Sequence, residues 1–218
     1  MRTDSELKQD VIDELKWESM INETAVDVAV KDGVVTLSGC ADSLIEKINA
    51  ERAAEAVFGV RGVIQKIEVK LPVASQRSDE EITKFAMDAL KWTAYVPDKN
   101  IKVKVQNGLV TLNGEVEWNY QKDAAANAVC CLLGVKGVIN LITLKTVVKP
   151  EDVEKKIENA FQRHAVLDVR RGLKVKTQGD KAILSGVVHS FAYRLEAEQA
   201  ALSAPGIREV ENEIVVAP

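Results

Sequence analysis

Apolar and polar positions along this chain change period at regular intervals. Residues 28–39, VAVKDGVVTLSG, alternate on either side of Asp32-Gly33, the signature of a hairpin closed by a two-residue turn. With that turn, Val30 faces Val35 and Val28 faces Leu37, so the apolar members of both strands share one face. Ahead of the hairpin, Leu7, Val11 and Leu15 recur at helical spacing behind a Thr3–Glu6 capping box. Behind it, an Ala-rich stretch from Asp42 to Phe58 predicts a second helix, closed by Gly59 in the left-handed C-terminal position. VIQKIEV at 63–69 then reads as a last strand.

The whole pattern returns twice. VKVQNGLVTLNG at 103–114 lies 75 residues after the first hairpin, and VKTQGDKAILSG at 175–186 lies a further 72 on. Asn107-Gly108 pairs Val105 with Val110 and Val103 with Leu112, and Gly179-Asp180 pairs Val175 with Leu184. Leu7, Leu15 and Trp17 correspond to Ile82, Leu90 and Trp92, and a one-residue deletion brings Val153 and Phe161 opposite Ile82 and Leu90. Ser78 with Glu81 repeats the capping box, and Pro150 stands where a first-turn proline is tolerated. Glycines recur at matched places, assigned to turns and helix ends: Gly33, Gly39, Gly59 and Gly62, then Gly108, Gly114, Gly134 and Gly137, then Gly179, Gly186 and Gly206.

These elements predict an α+β chain of three tandem αββαβ domains, at 1–73, 76–148 and 149–218. Each is a three-stranded mixed sheet with two helices packed on one face. A right-handed crossover through the second helix sets the third strand parallel to the second. A unit of about 70 residues is near the lower limit for a free-standing core, so neighbours are expected to lean on one another. The joining segments PVASQRS (72–78) and TVVKP (146–150) are short and hold no flexible Gly-Ser tract.

The pattern V.V.NGVVTLSG, an Ala-rich helix, then GV.GV..V.N.I.V resembles the BON domain, a module of bacterial osmotically induced and nodulation-associated proteins. Three tandem copies cover nearly the whole chain. The third departs at Gly179-Asp180 and at Glu209, which replaces the second glycine of the pair. The resemblance implies an αββαβ fold and non-enzymatic roles: association with phospholipid surfaces, envelope maintenance under osmotic stress, and in some members chaperoning of envelope proteins.

Composition narrows the partners. Lys and Arg total 29 against 33 acidic residues, a net charge of −4, which argues against a nucleic-acid partner. The charge is uneven. Residues 1–74 hold 9 basic and 14 acidic side chains, 75–149 hold 10 and 8, and 150–218 hold 10 and 11, so the middle copy alone is net positive. Apolar runs are far shorter than the roughly 20 residues that cross a bilayer, and MRTDSELKQD has no apolar core of a secretory signal. The expected compartment is cytoplasmic as the chain is written, or periplasmic if a signal has been removed.

Candidate chemistry is sparse. His164 and His189 join no Cys, Asp or Glu at a metal-ligand spacing, and no nucleophile elbow, P-loop or dinucleotide fingerprint occurs. Paired carboxylates such as Glu51 and Glu55 read as solvated helical faces. Neither an enzyme nor a cofactor is expected. Cys40, Cys130 and Cys131 read as small buried hydrophobes, the last two diverging as neighbours on a helix. Trp17 and Trp92, at equivalent helix ends, are expected in cores. Trp118 has no aromatic counterpart and, with Tyr120, is a candidate interfacial aromatic.

If Ile101, Val103 and Val105 face the helices, Lys102 and Lys104 project from the opposite side of the sheet, with Lys99 at its entrance. Lys174 and Lys176, near Arg170 and Arg171, repeat this. Such a row is either a solvated face that discourages edge pairing or a surface for anionic lipid or an acidic partner. The function expected is multivalent binding, in which weak sites at fixed spacing gain avidity. The first candidate partner is an anionic membrane surface. The second is client protein, held through apolar or sheet-edge surface.

Overall fold

The computed structural model describes residues 3–145, 153–163, 173–204 and 206–217. Pro150, His164, Arg170 and Arg171 lie outside the described residues. Among those described are six α-helices and nine strands. The first repeat runs α1 (Asp4–Trp17), β1 (Val26–Lys31), β2 (Val34–Ala41), α2 (Leu44–Ala56) and β3 (Gly62–Val69). The second runs α3 (Asp79–Trp92), β4 (Ile101–Gln106), β5 (Leu109–Val116), α4 (Asn119–Cys130) and β6 (Gly137–Leu144). The third holds α5 (Val153–Arg163), β7 (Lys174–Gln178), β8 (Lys181–Val188), α6 (Phe191–Leu202) and β9 (Glu209–Val216).

Local chemistry explains the elements. Both capping boxes form: the Thr3 and Ser78 hydroxyls accept from the Glu6 and Glu81 amides, while each glutamate accepts from its cap's backbone N–H. Hydrogen bonding to Ser78 holds the Glu81 carboxyl below its ordinary range. All three hairpins have the two-residue register, with Val28↔Leu37, Val103↔Leu112 and Val175↔Leu184 opposed. Asp32-Gly33 and Asn107-Gly108 both take positive φ at both positions, as a type I′ turn requires. The inverted Gly179-Asp180 order places its left-handed residue, Gly179, first, the arrangement of a type II′ turn.

Each sheet has three strands with the second in the middle, and β5–β6 and β8–β9 are parallel. Alternate strand residues point to the helices. In the second repeat Ile82, Ala86 and Leu90 of α3 meet Val110, Leu112 and Ile142 of the sheet. In the third, Ile157 and Phe161 meet Val175, Leu184 and Ile214. Asn140 and Asn212 tie strand to helix: each side-chain amide donates to a helical carbonyl, of Lys122 and Arg194, while its oxygen accepts from the amide two residues on.

The described residues divide into two compact units, one drawn from 1–39, 49–66 and 147–218, the other from 40–48 and 67–146. These cut across the repeats. Within the second unit, Leu44, Ile48 and Val69 of the first repeat pack against the core of the second. Within the first unit, the Phe58 and His189 rings lie 6.1 Å apart.

Several expectations are corrected. Trp17 and Trp92 are 84% and 86% exposed. Each stands two residues past a buried leucine, about 200° round the helix and so on the outer side. The second helix of the first repeat is shorter than 42–58. None of the three cysteines is fully buried, and Cys131 is exposed. Cys131 caps the end of α4, and its thiol lies 3.6 Å from that of Cys130 instead of diverging, both directed at the Asn127 carbonyl. Glu55 is half-buried, not solvated, and burial first, then the Glu51 carboxylate, pushes its carboxyl up to about 7 despite Arg52.

Candidate functional site

The glycines fall into three structural settings. Gly33, Gly108 and Gly179 occupy turns, and Gly59, Gly134 and Gly206 follow second helices with positive φ. Gly62 and Gly137 open third strands, while Gly39, Gly114 and Gly186 lie inside second strands. A methyl group on Gly39 would collide with the Ala25 carbonyl where the chain enters β1, and one on Gly114 would meet Asn100 likewise. Backbone approaches backbone at the same place in both repeats.

A carboxylate at the start of the first helix locks the hairpin in each of the first two repeats. The Asp4 carboxylate accepts from the amides of Asp32 and Gly33 at 2.9 and 3.1 Å. Asp79 accepts from Asn107 and Gly108 at 2.8 and 2.9 Å. The signal was present, since both aspartates recur at the 75-residue offset. Their meaning needed the turn and the helix start to be adjacent in space.

Of the candidate residues of the second repeat, Lys99, Trp118 and Tyr120 stand on segments that meet at one end of the module. Because Ile101 pairs with Gly114, the start of β4 lies beside the end of β5, and the end of α3 and the start of α4 share that end. Trp92 closes α3, and the chain then turns through Tyr95, whose φ of 71° is unusual for a bulky residue. Tyr95 and Tyr120 are both exposed, with rings edge to face at 6.5 Å and 77°. Trp118 precedes α4, and the Gln121 side chain holds that corner by accepting from the Glu117 and Trp118 amides. Lys99 is exposed in the one-turn helix that leads into β4.

The lysine row divides into three groups. Lys99 belongs with the aromatic end. Lys102 and Lys104 are exposed on the open sheet face, where their rows continue through Asn113 and Thr111 to Leu141 and Ile139. Lys174 and Lys176 are exposed on the third sheet, in rows ending at Glu213 and Glu211. There Lys181 bridges Glu209 and Glu211, each at 3.0 Å, and hydrogen bonds to both carboxylates hold its ammonium above the ordinary lysine range. Tyr95 and the apolar column of β6 had no distinguishing sequence signal: exposure and backbone strain arise in the fold.

No helix among the described residues is long and apolar enough to cross a membrane. The architecture defines a tandem array of one small αββαβ module. The BON domain model matches residues 3–70, 78–146 and 151–218, and the chain belongs to that family. It is similar to osmotically-inducible protein Y of Escherichia coli (strain K12), 31% identical over 129 residues that cover 57% of this chain and 64% of the relative, less than two thirds of its length. Among solved structures, CdsD, a structural protein of the type III secretion system of Chlamydia trachomatis, aligns at 17% identity over 96% of this chain and 91% of its own, with a TM-score of 0.26. The PrgH periplasmic domain aligns at 8% identity over 95% and 100%, with a TM-score of 0.23. Likeness at these scores carries no argument.

Proposed function

We propose that this protein is a non-enzymatic envelope-stress module that associates with anionic phospholipid surfaces through the end of its second repeat. The observation that carries the reading is the edge-to-face pair of exposed Tyr95 and Tyr120, flanked in the chain by exposed Trp92, Lys99 and Trp118. Aromatic rings with a polar tip suit the headgroup level of a bilayer. A nearby lysine contributes roughly 1 kcal/mol toward an anionic surface, falling off within a Debye length. Such binding is weak, salt-sensitive and additive with any contribution from other repeats. The relative named for osmotic induction supports a role in osmotic stress, and membership of the BON family supports an envelope setting for that role.

Co-sedimentation with vesicles of phosphatidylglycerol and phosphatidylcholine tests this. The parent is expected to sediment with the anionic vesicles at low salt and to be released as salt rises. The triple change Lys99→Glu, Trp92→Ala and Trp118→Ala should abolish sedimentation. Because Trp92 is exposed, Trp92→Ala alone should leave thermal unfolding nearly unchanged. Equal sedimentation of parent and triple variant, with the same salt dependence, would refute the reading.

A further inference from the structure

The open sheet face of the second repeat is a different surface, and comparison with the third repeat shows what is unusual about it. Its rows, from β4 through β5 to β6, are Lys102–Asn113–Leu141, Lys104–Thr111–Ile139 and Gln106–Leu109–Gly137. The matching rows of the third repeat are Lys174–Ser185–Glu213, Lys176–Ile183–Glu211 and Gln178–Lys181–Glu209. The first-strand lysines and glutamine are the same in both. The third-strand column, however, changes from glutamates to glycine, isoleucine and leucine.

In the third repeat the face satisfies much of its own charge, with Lys181 held between two of the glutamates. In the second, the lysine column stands across the sheet from an apolar one. Leu109, Ile139 and Leu141 are 39%, 40% and 55% exposed. Gly137 helps form this strip: a side chain there would collide with the Leu109 methyl, 2.8 Å from the Cβ position, so its absence lets Leu109 lie over β6. An exposed apolar strip bordered by charge marks an interaction surface.

We infer that this face docks an acidic amphipathic helix of a partner polypeptide. The two columns lie two strand spacings apart, about 10 Å, close to the diameter of a helix. A helix along the sheet would set its leucine-type anchors over Leu109, Ile139 and Leu141, at i, i+3, i+4 and i+7. Carboxylates on one flank would meet Lys102 and Lys104. Charge complementarity selects the partner: an apolar helix with a basic flank meets repulsion, while the third repeat offers glutamates where the anchors would sit. This surface is separate from the aromatic end and does not depend on membrane association.

The test uses the full chain and two synthetic helical peptides with the same leucine stripe, one flanked by Glu and one by Lys, followed by fluorescence anisotropy. The Glu peptide should bind and weaken with salt, and the Lys peptide should not bind. The double change Lys102→Glu/Lys104→Glu should weaken the Glu peptide about tenfold. The double change Ile139→Glu/Leu141→Glu, which copies the residues of the third repeat at equivalent positions and so suits the fold, should abolish binding. Neither should alter vesicle sedimentation by more than about twofold at the highest salt at which the parent still sediments, where screening confines charge effects to within about a Debye length. Peptide binding unchanged by both variants would overturn the inference. Loss of vesicle binding in place of peptide binding would reassign the face to lipid, and a parent that self-associates while both variants stay monomeric would reassign it to a second copy; either overturns it too.

Discussion

Removing the Asp79 carboxylate tests how the module is held together. Asp79 stands at the first position of α3 and accepts from the Asn107 and Gly108 amides, which lie 28 and 29 residues away. Hydrogen bonds to a charged acceptor each contribute about 1.5–3 kcal/mol when shielded, and a carboxylate at a helix start adds about 0.3–1 kcal/mol. Here Asn107 is exposed but Gly108 is buried, so water replaces only part of what Asp79→Ala removes. The net cost is about 2 kcal/mol. Asn107 and Gly108 donate to this group directly, so native-state hydrogen exchange reads the loss where it occurs. A cost of about 2 kcal/mol should speed exchange at those two amides by about 30-fold. Asp88→Ala, an exposed change on the same helix, serves as control and should leave them unaffected. Protection at Asn107 and Gly108 that stays within about threefold of the parent in Asp79→Ala would refute the clamp.

Two further outcomes follow from the first repeat. The Glu55 carboxyl is raised from 4.5 to about 7, first by burial, so between those values the native state holds a proton that the unfolded state has lost, and stability falls as pH rises through that window. Discounted for partial exposure, the loss is about 1 kcal/mol. Glu55→Gln should therefore be more stable than the parent at pH 8 and equal to it at pH 4, in paired thermal melts; an equal gain at both would exclude titration as the cause. Gly39→Ala must accommodate a φ of 118° and a collision with the Ala25 carbonyl, and should cost more than about 3 kcal/mol in denaturant unfolding, whereas Gly62→Ala, with open space around its Cβ, should cost far less.

What the chain declares by itself is what depends on neighbours in sequence. The hairpin registers follow from a period of two and a two-residue turn, so Val103↔Leu112 could be read before any fold was known. Capping boxes span three residues, and both formed as read. Repetition then multiplied each local signal, which is why αββαβ was legible three times over. Only the tertiary structure decided features that join distant segments. Asp79 looked like one more acidic residue in a helix's first turn until the fold brought the Asn107 turn against it. Glu55 looked solvated because burial depends on what packs over a helix, not on the helix itself. Trp17 and Trp92 misled because recurrence marks a shared place in the module without saying which side of the helix faces out. The apolar column of β6 took its meaning from parallel pairing: Thr111 meets Ile139, 28 positions further along the chain, through a crossover, and no local pattern specifies which side chains such a crossover sets beside one another.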